Sequence, residues 1–220
     1  MLDLDFSTLI SRIIVLLTAF SFHEFAHAWT ANYFGDDTPR HHGRLTLNPL
    51  AHLDPMGSLL LIVAGFGWAK PVPVNPYALK QRAPSALMWV SLAGPASNLL
   101  LAILASTFFR FNIISLEQAF YDSYSSGSHL IPTLPQLLLE FIVINFVLML
   151  FNLIPLAPLD GEKIADFFLP PTWSNKLAQI RPYGPMILMV LFIAGPYIGI
   201  DILSWIIGPA LQFLFKIFIG

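Results

Sequence analysis

Four apolar stretches, residues 7–31, 84–109, 135–154 and 184–217, dominate this 220-residue chain. In the hydrocarbon of a bilayer every backbone N–H and C=O needs a partner within the protein, so segments of this kind must close into helices or barrels. Runs of twenty or more apolar residues suit helices, which rise 1.5 Å per residue against a hydrocarbon core of about 30 Å. Composition agrees, because 56% of the residues are hydrophobic and only 11% are charged, well outside the usual mix of a soluble domain. The expected fold is an all-α polytopic membrane protein, with residues 1–220 forming a single membrane-embedded domain and leaving no room for a second.

The last stretch is too long for one crossing. As a straight helix, residues 184–217 would measure about 50 Å, so a break is expected at Gly195-Pro196 and Gly208-Pro209, where proline removes a backbone donor and crowds the preceding turn. This predicts four transmembrane helices, the last a C-terminal broken helix over 184–217, with five as the alternative. Residues 59–66 are apolar but too few to cross. The segment that follows, Trp68-Ala69-Lys70-Pro71-Val72-Pro73-Val74-Asn75-Pro76, alternates valine with proline, which excludes a helix and suits an edge strand. Residues 57–77 are therefore expected to form a small re-entrant β-hairpin, buried in protein or lining a cavity. Residues 121–127 (YDSYSSG) read as a polar external loop. A cleaved signal peptide is disfavoured by Asp3 and Asp5 and would cut through the metal motif described below, so residues 7–31 are read as a retained first span.

Charge supplies an orientation. The loops 32–83 and 155–183 carry Arg40, Arg44, Lys70, Lys80, Arg82, Lys163, Lys176 and Arg181, whereas Arg12, Arg110 and Lys216 are the only other basic residues. Cytoplasmic loops collect Lys and Arg, which places both loops in the cytoplasm and, for four spans, both termini outside. A net charge of -2 gives no hint of a nucleic-acid partner. The absence of cysteine excludes disulfides, thiolate metal sites and cysteine nucleophiles.

The chemistry starts at the end of the first apolar run, with His23-Glu24-Phe25-Ala26-His27. On a helix the two histidines are one turn apart on one face and can reach a single Zn²⁺, with Glu24 beside it to take a proton from water. A charged side chain at the bilayer centre costs about 2.5 to 3.5 kcal/mol on insertion scales, so three ionisable groups within one turn of a membrane helix mark function. Catalytic zinc commonly takes three protein ligands. The third is sought among Asp160, Glu140, Glu162, Asp166, His41, His42, His52 and His129. Asp160 ends the run Asn152-Leu153-Ile154-Pro155-Leu156-Ala157-Pro158-Leu159-Asp160-Gly161, in which two prolines and a turn-forming Asp-Gly can aim a carboxylate back at the bundle. A plain loop turn would use the same residues. In the second stretch, Gly94, Ala96 and Ser97 allow close helix approach, and the Asn98 amide can bond a peptide or an oxyanion or serve as interhelical glue.

Taken together, the HEFAH helix, Ala93-Gly94-Pro95-Ala96-Ser97-Asn98 and the run from Asn152 to Gly161 resemble, in order and separation across most of residues 20–163, the site-2 protease family of intramembrane zinc metalloproteases. The resemblance implies a three-helix catalytic core over about residues 7–163. It also implies one zinc ion held by His23, His27 and Asp160, with Glu24 as general base and Asn98 in contact with substrate. The substrate class it implies is a transmembrane protein, cut in or near its membrane segment within the lipid bilayer; the orientation from charge puts that site toward the cytoplasmic side of the cell membrane. The loop 111–134 is too short for the peptide-binding domain inserted in longer members, so the chain looks like a minimal form. His52, in Asn48-Pro49-Leu50-Ala51-His52-Leu53-Asp54-Pro55, is a candidate gate or substrate contact; His41 and His42 read as solvated, and His129 falls on the opposite side.

A substrate helix in lipid has its carbonyls bonded internally and must unwind before attack. The edge from Lys70 to Asn75 could receive the freed strand by β-augmentation, with Val72 and Val74 as substrate-binding positions. The alternative from another class is a membrane metal-ion transporter or metal-binding protein, because intramembrane His and Asp also mark ion pathways. Glu24 separates the two, since a hydrolase needs a proton acceptor beside the first ligand and a transporter has little use for one. A scaffold without activity is the remaining alternative.

Overall fold

The first apolar stretch forms α1, Phe6–Tyr33, whose inward face repeats every fourth residue: Ser7, Ser11, Val15, Ala19, His23, His27 and Ala31 are all buried. Its large side chains, among them Phe6, Ile14, Trp29 and Tyr33, point outward. With hydrocarbon outside, apolar bulk gains nothing by facing inward, and small or polar residues collect where helices touch. In this computed structural model the described residues are 6–57, 68–124, 131–193 and 202–220.

The remaining helices are α2 (Thr38–His41), α3 (Pro76–Arg82), α4 (Ala86–Arg110), α5 (Leu116–Tyr124), α6 (Leu134–Asn152), α7 (Asp160–Phe168), α8 (Pro171–Ile180), α9 (Gly184–Ile193) and α10 (Ile202–Phe218). Local chemistry sets several starts. The Asn75 side chain accepts from the N–H groups of Tyr77 and Ala78 at the head of α3, and Thr133 accepts from Gln136 at the head of α6, each satisfying donors the helix leaves unpaired.

Among the described residues, three helices, α1, α4 and α6, are long and apolar enough to cross a membrane. The described parts of the C-terminal stretch form α9 and α10, with the Gly195-Pro196 position outside the described residues. The second expected break is absent, since Pro209 lies inside an uninterrupted α10. One proline removes one helical hydrogen bond, and Leu211, Leu214, Phe215 and Phe218 beyond it are anchored against the core, which keeps the helix going. About half of the anticipated β-hairpin, residues 58–67, also lies outside the described residues. Among those described there is no strand, only an isolated antiparallel bridge between Leu53 and Ala69, and the segment leading to Asn75 is non-helical, with extended backbone at Asn75 itself. Residues 121–124, expected as loop, finish α5 instead, because Ala119 and Asp122 form a buried face and Asp122 accepts the Thr133 hydroxyl.

α4 is the centre of the bundle, packing against α1, α6 and α7. Its inward stripe reads Ala86, Val90, Gly94, Asn98, Ala102, Ala105, Phe109, mostly small residues that admit neighbouring helices. At one end Ala86 and Val90 join Ala31 and Leu79 in an apolar cluster. At the other, Ala102, Ala105 and Phe109 pack with Ile142 and Phe146 of α6. The level of Gly94 and Asn98 lies between the two clusters, and the polar residues of α1 and α6 meet there.

Candidate metal centre

One helical turn brings His23 and His27 together with their Nε2 atoms 3.0 Å apart. The third group comes from the far side of the chain. After α6 the run 153–159 folds back and α7 starts at Asp160, whose Oδ2 lies 3.2 Å from each Nε2. The three form a possible metal-ligand cluster, His23, His27 and Asp160, with both imidazoles buried. Gly161 makes the return possible in a way the sequence reading missed. It is not a turn residue but the second residue of α7, and a Cβ there would come within 2.4 Å of the Leu153 and Ile154 carbonyl oxygens. The carboxylate also stands in the first turn of α7, where the helix dipole favours negative charge. Burial opposes the charge on Asp160, yet the His27 and His23 imidazoles hold its carboxyl well below the usual carboxylate range.

The outer nitrogens of the imidazoles are committed. His27 Nδ1 lies 2.7 Å from the Val90 carbonyl oxygen, which can only accept, so Nδ1 carries the proton and donates. His23 Nδ1 lies 2.6 Å from Asn98 Oδ1 and donates to it likewise. In their neutral form both imidazoles would then turn their Nε2 lone pairs inward, and with Asp160 Oδ2 they would make three acceptors facing one another, a donor set that fits a cation. Their separations suit zinc, whose bonds of about 2.0–2.1 Å to nitrogen and oxygen put tetrahedral ligands roughly 3.3 Å apart. Gly94 keeps this space open: a Cβ on it would lie 2.4 Å from His27 Nε2 and 2.6 Å from His23 Cε1.

Glu24, also buried, accepts the backbone N–H of Val72 on Oε2 at 3.0 Å, so the non-helical segment from Lys70 to Asn75 lies against the candidate base. Val74 packs on the Ala31, Leu79 and Val90 cluster. The segment is held at both ends, by Lys70 N–H to the His52 carbonyl at 2.8 Å and by Asn75 N–H to Asp36 Oδ2 at 2.6 Å. His52 is buried in this anchoring loop, its Nε2 bonded to the Thr46 carbonyl at 2.8 Å and its Nδ1 without a partner.

Asn98 stands behind His23, fully buried, with its Oδ1 on the imidazole and its Nδ2 directed at Asn145 Oδ1, 2.8 Å away. In this arrangement the amide faces a ligand rather than an open channel. The other candidate ligands are engaged elsewhere: Glu162 with Arg181, whose Nε lies 2.8 Å from its Oε1, and Asp166 with Ser174. His41 and His42 are exposed, and His129 lies outside the described residues. Asn145 escaped the sequence reading, although an amide in the middle of an apolar span is itself a signal.

Comparison with known proteins places this geometry. The family model described as peptidase family M50 matches residues 11–195. The "Putative zinc metalloprotease YwhC" of Bacillus subtilis (strain 168) is 43% identical over 192 residues, covering 84% of this chain and 82% of that protein. Two proteins with the same description under the name Rip2 also match. That of Mycolicibacterium smegmatis is 35% identical over 80% of this chain and 64% of its own length. That of Mycobacterium tuberculosis (strain ATCC 25618 / H37Rv) is 30% identical over 81% and 64%, so the match spans just under two thirds of either Rip2 protein. No solved structure matches the chain.

Proposed function

The chain belongs to peptidase family M50 and is a zinc metalloprotease, and from that premise we propose that it hydrolyses a peptide bond in or near the transmembrane segment of a membrane-protein substrate, with Glu24 as general base. The observation that carries this reading is the meeting of His23, His27 and Asp160 at the polar level of a bundle whose α1, α4 and α6 can each cross a bilayer. Family membership also sets the metal-ion transporter aside.

His23, His27 and Asp160 are the residues that would hold zinc, which when bound supplies Lewis acidity to polarise a carbonyl and to ease the loss of a proton from water. Glu24 takes that proton on its carboxylate and delivers it to the leaving amine. Val72, by donating to Oε2, keeps the Glu24 side chain in place between turnovers. An unwound substrate strand paired along Lys70 to Asn75, past Val72 and Val74, would lie next to this carboxylate, so strand capture and proton transfer share one short piece of backbone. Asn98 is assigned to His23 rather than to substrate, on the strength of the 2.6 Å contact. His52 is assigned to anchoring the segment through its carbonyl, in place of gating. The basic loops 32–83 and 155–183 put the His23 end of α1 on the cytoplasmic side.

The test is co-expression with tagged candidate membrane segments, comparing wild type with Glu24→Gln and mapping the cut by mass spectrometry. Glu24→Gln should retain one zinc per chain and lose cleavage by about 10²- to 10⁴-fold, the range general-base catalysis supplies. Cleavage at the wild-type rate by that variant would reject the role given to Glu24.

A further inference from the structure

Asn145 sits in the middle of α6, fully buried, where an amide is costly unless its groups are paired. Its Nδ2 donates to the Phe141 carbonyl of its own helix at 2.8 Å, which turns Oδ1 toward α4. There Oδ1 accepts from Asn98 Nδ2 at 2.8 Å. The same Nδ2 lies 3.4 Å from the Ala19 carbonyl oxygen on α1. Both of these partners can only accept, so Asn98 must direct its amide nitrogen to them and its oxygen to His23. The His23 Nδ1 proton then points at Asn98 Oδ1, and the Nε2 lone pair points at the ligand cluster.

We infer that Asn145 is a positioning residue for zinc, setting the tautomer and ring orientation of His23 through Asn98. Without its oxygen, Asn98 Nδ2 keeps only the long contact to Ala19, and the opposite amide orientation, which would present N–H to His23, is no longer opposed by a second acceptor. Outer partners of this kind commonly change metal affinity by 10- to 100-fold. His27 provides an internal contrast, since its Nδ1 donates to the Val90 backbone and depends on no side chain. The inference rests on the reading of His23, His27 and Asp160 as zinc ligands.

The experiment uses the full chain in detergent, with zinc affinity measured by chelator competition, the electronic spectrum of the cobalt-substituted protein, and thermal unfolding. Asn145→Leu should bind zinc 10- to 100-fold more weakly and shift the cobalt bands. Asn145→Asp, whose protonated carboxyl can reproduce both hydrogen bonds, should restore affinity and spectrum. If Asn145→Leu changes only the unfolding midpoint and leaves affinity and spectrum at wild type, Asn145 is interhelical packing and the inference is overturned. Should Asn145→Leu fail to fold, Asn145→Ala is judged by the same criterion. A wild-type zinc affinity untouched by His23→Ala would instead refute the ligand assignment itself, so the two failures are distinguishable.

Discussion

Gly94 shows how much a single position carries. Its smallness is plain in the sequence, where it reads as a place for another helix to approach. The helix that approaches is α1, and it brings the His27 and His23 imidazoles, leaving no room for a methyl group. Gly94→Ala should therefore lower the zinc content of the purified protein from one per chain toward zero without unfolding α4, since alanine is the better helix former. Gly208→Ala is the matched control: nothing lies within 4 Å of its would-be Cβ, and it should keep zinc while gaining about 0.4–1 kcal/mol of stability. Metal analysis beside thermal unfolding checks both. Asp160 and Glu162 illustrate the limit of the sequence at this scale. Both are acids in the first turn of one helix, and only the position of Arg181 assigns one to an ion pair and leaves the other to the imidazoles.

Among the elements, the segment from Lys70 to Asn75 is where sequence and structure inform each other most. Its alternating valines and prolines excluded a helix, and the segment is indeed non-helical. The partner of its backbone was not legible, because a hydrogen bond from Val72 to Glu24 spans 48 residues of chain. Val72→Pro removes that donor. It should slow substrate cleavage while leaving zinc content unchanged, and faster cleavage than wild type would show that the segment restrains the base rather than supporting it. α10 marks an error of the opposite kind, since Gly208-Pro209 looked like a break and the helix runs through it. A local rule about proline lost to the tertiary anchoring of the residues that follow.

Along α4 two apolar clusters flank the level at which Gly94 and Asn98 meet His23 of α1 and Asn145 of α6. On the proposed reading the site would act on a carbonyl only after the substrate had given up its helix, because a membrane helix uses every carbonyl internally. Helix-breaking residues near the cut should therefore raise the cleavage rate of a substrate segment, and replacing them with leucine or alanine should lower it. Equal cleavage of both series by purified protein in a bilayer would show that unwinding does not limit the reaction.

By itself the sequence determined the helical membrane class, the HExxH turn on the first helix and the non-helical run from Lys70 to Asn75. These depend on periodicity and polarity within a few residues, and a chain in lipid has few other ways to satisfy its backbone. Local pattern left the third carboxylate open and only the resemblance pointed to Asp160, whereas the tertiary structure alone decided which amide meets His23 and which backbone N–H meets Glu24. Those choices are contacts between residues tens of positions apart, set by how helices pack, and no local pattern contains them.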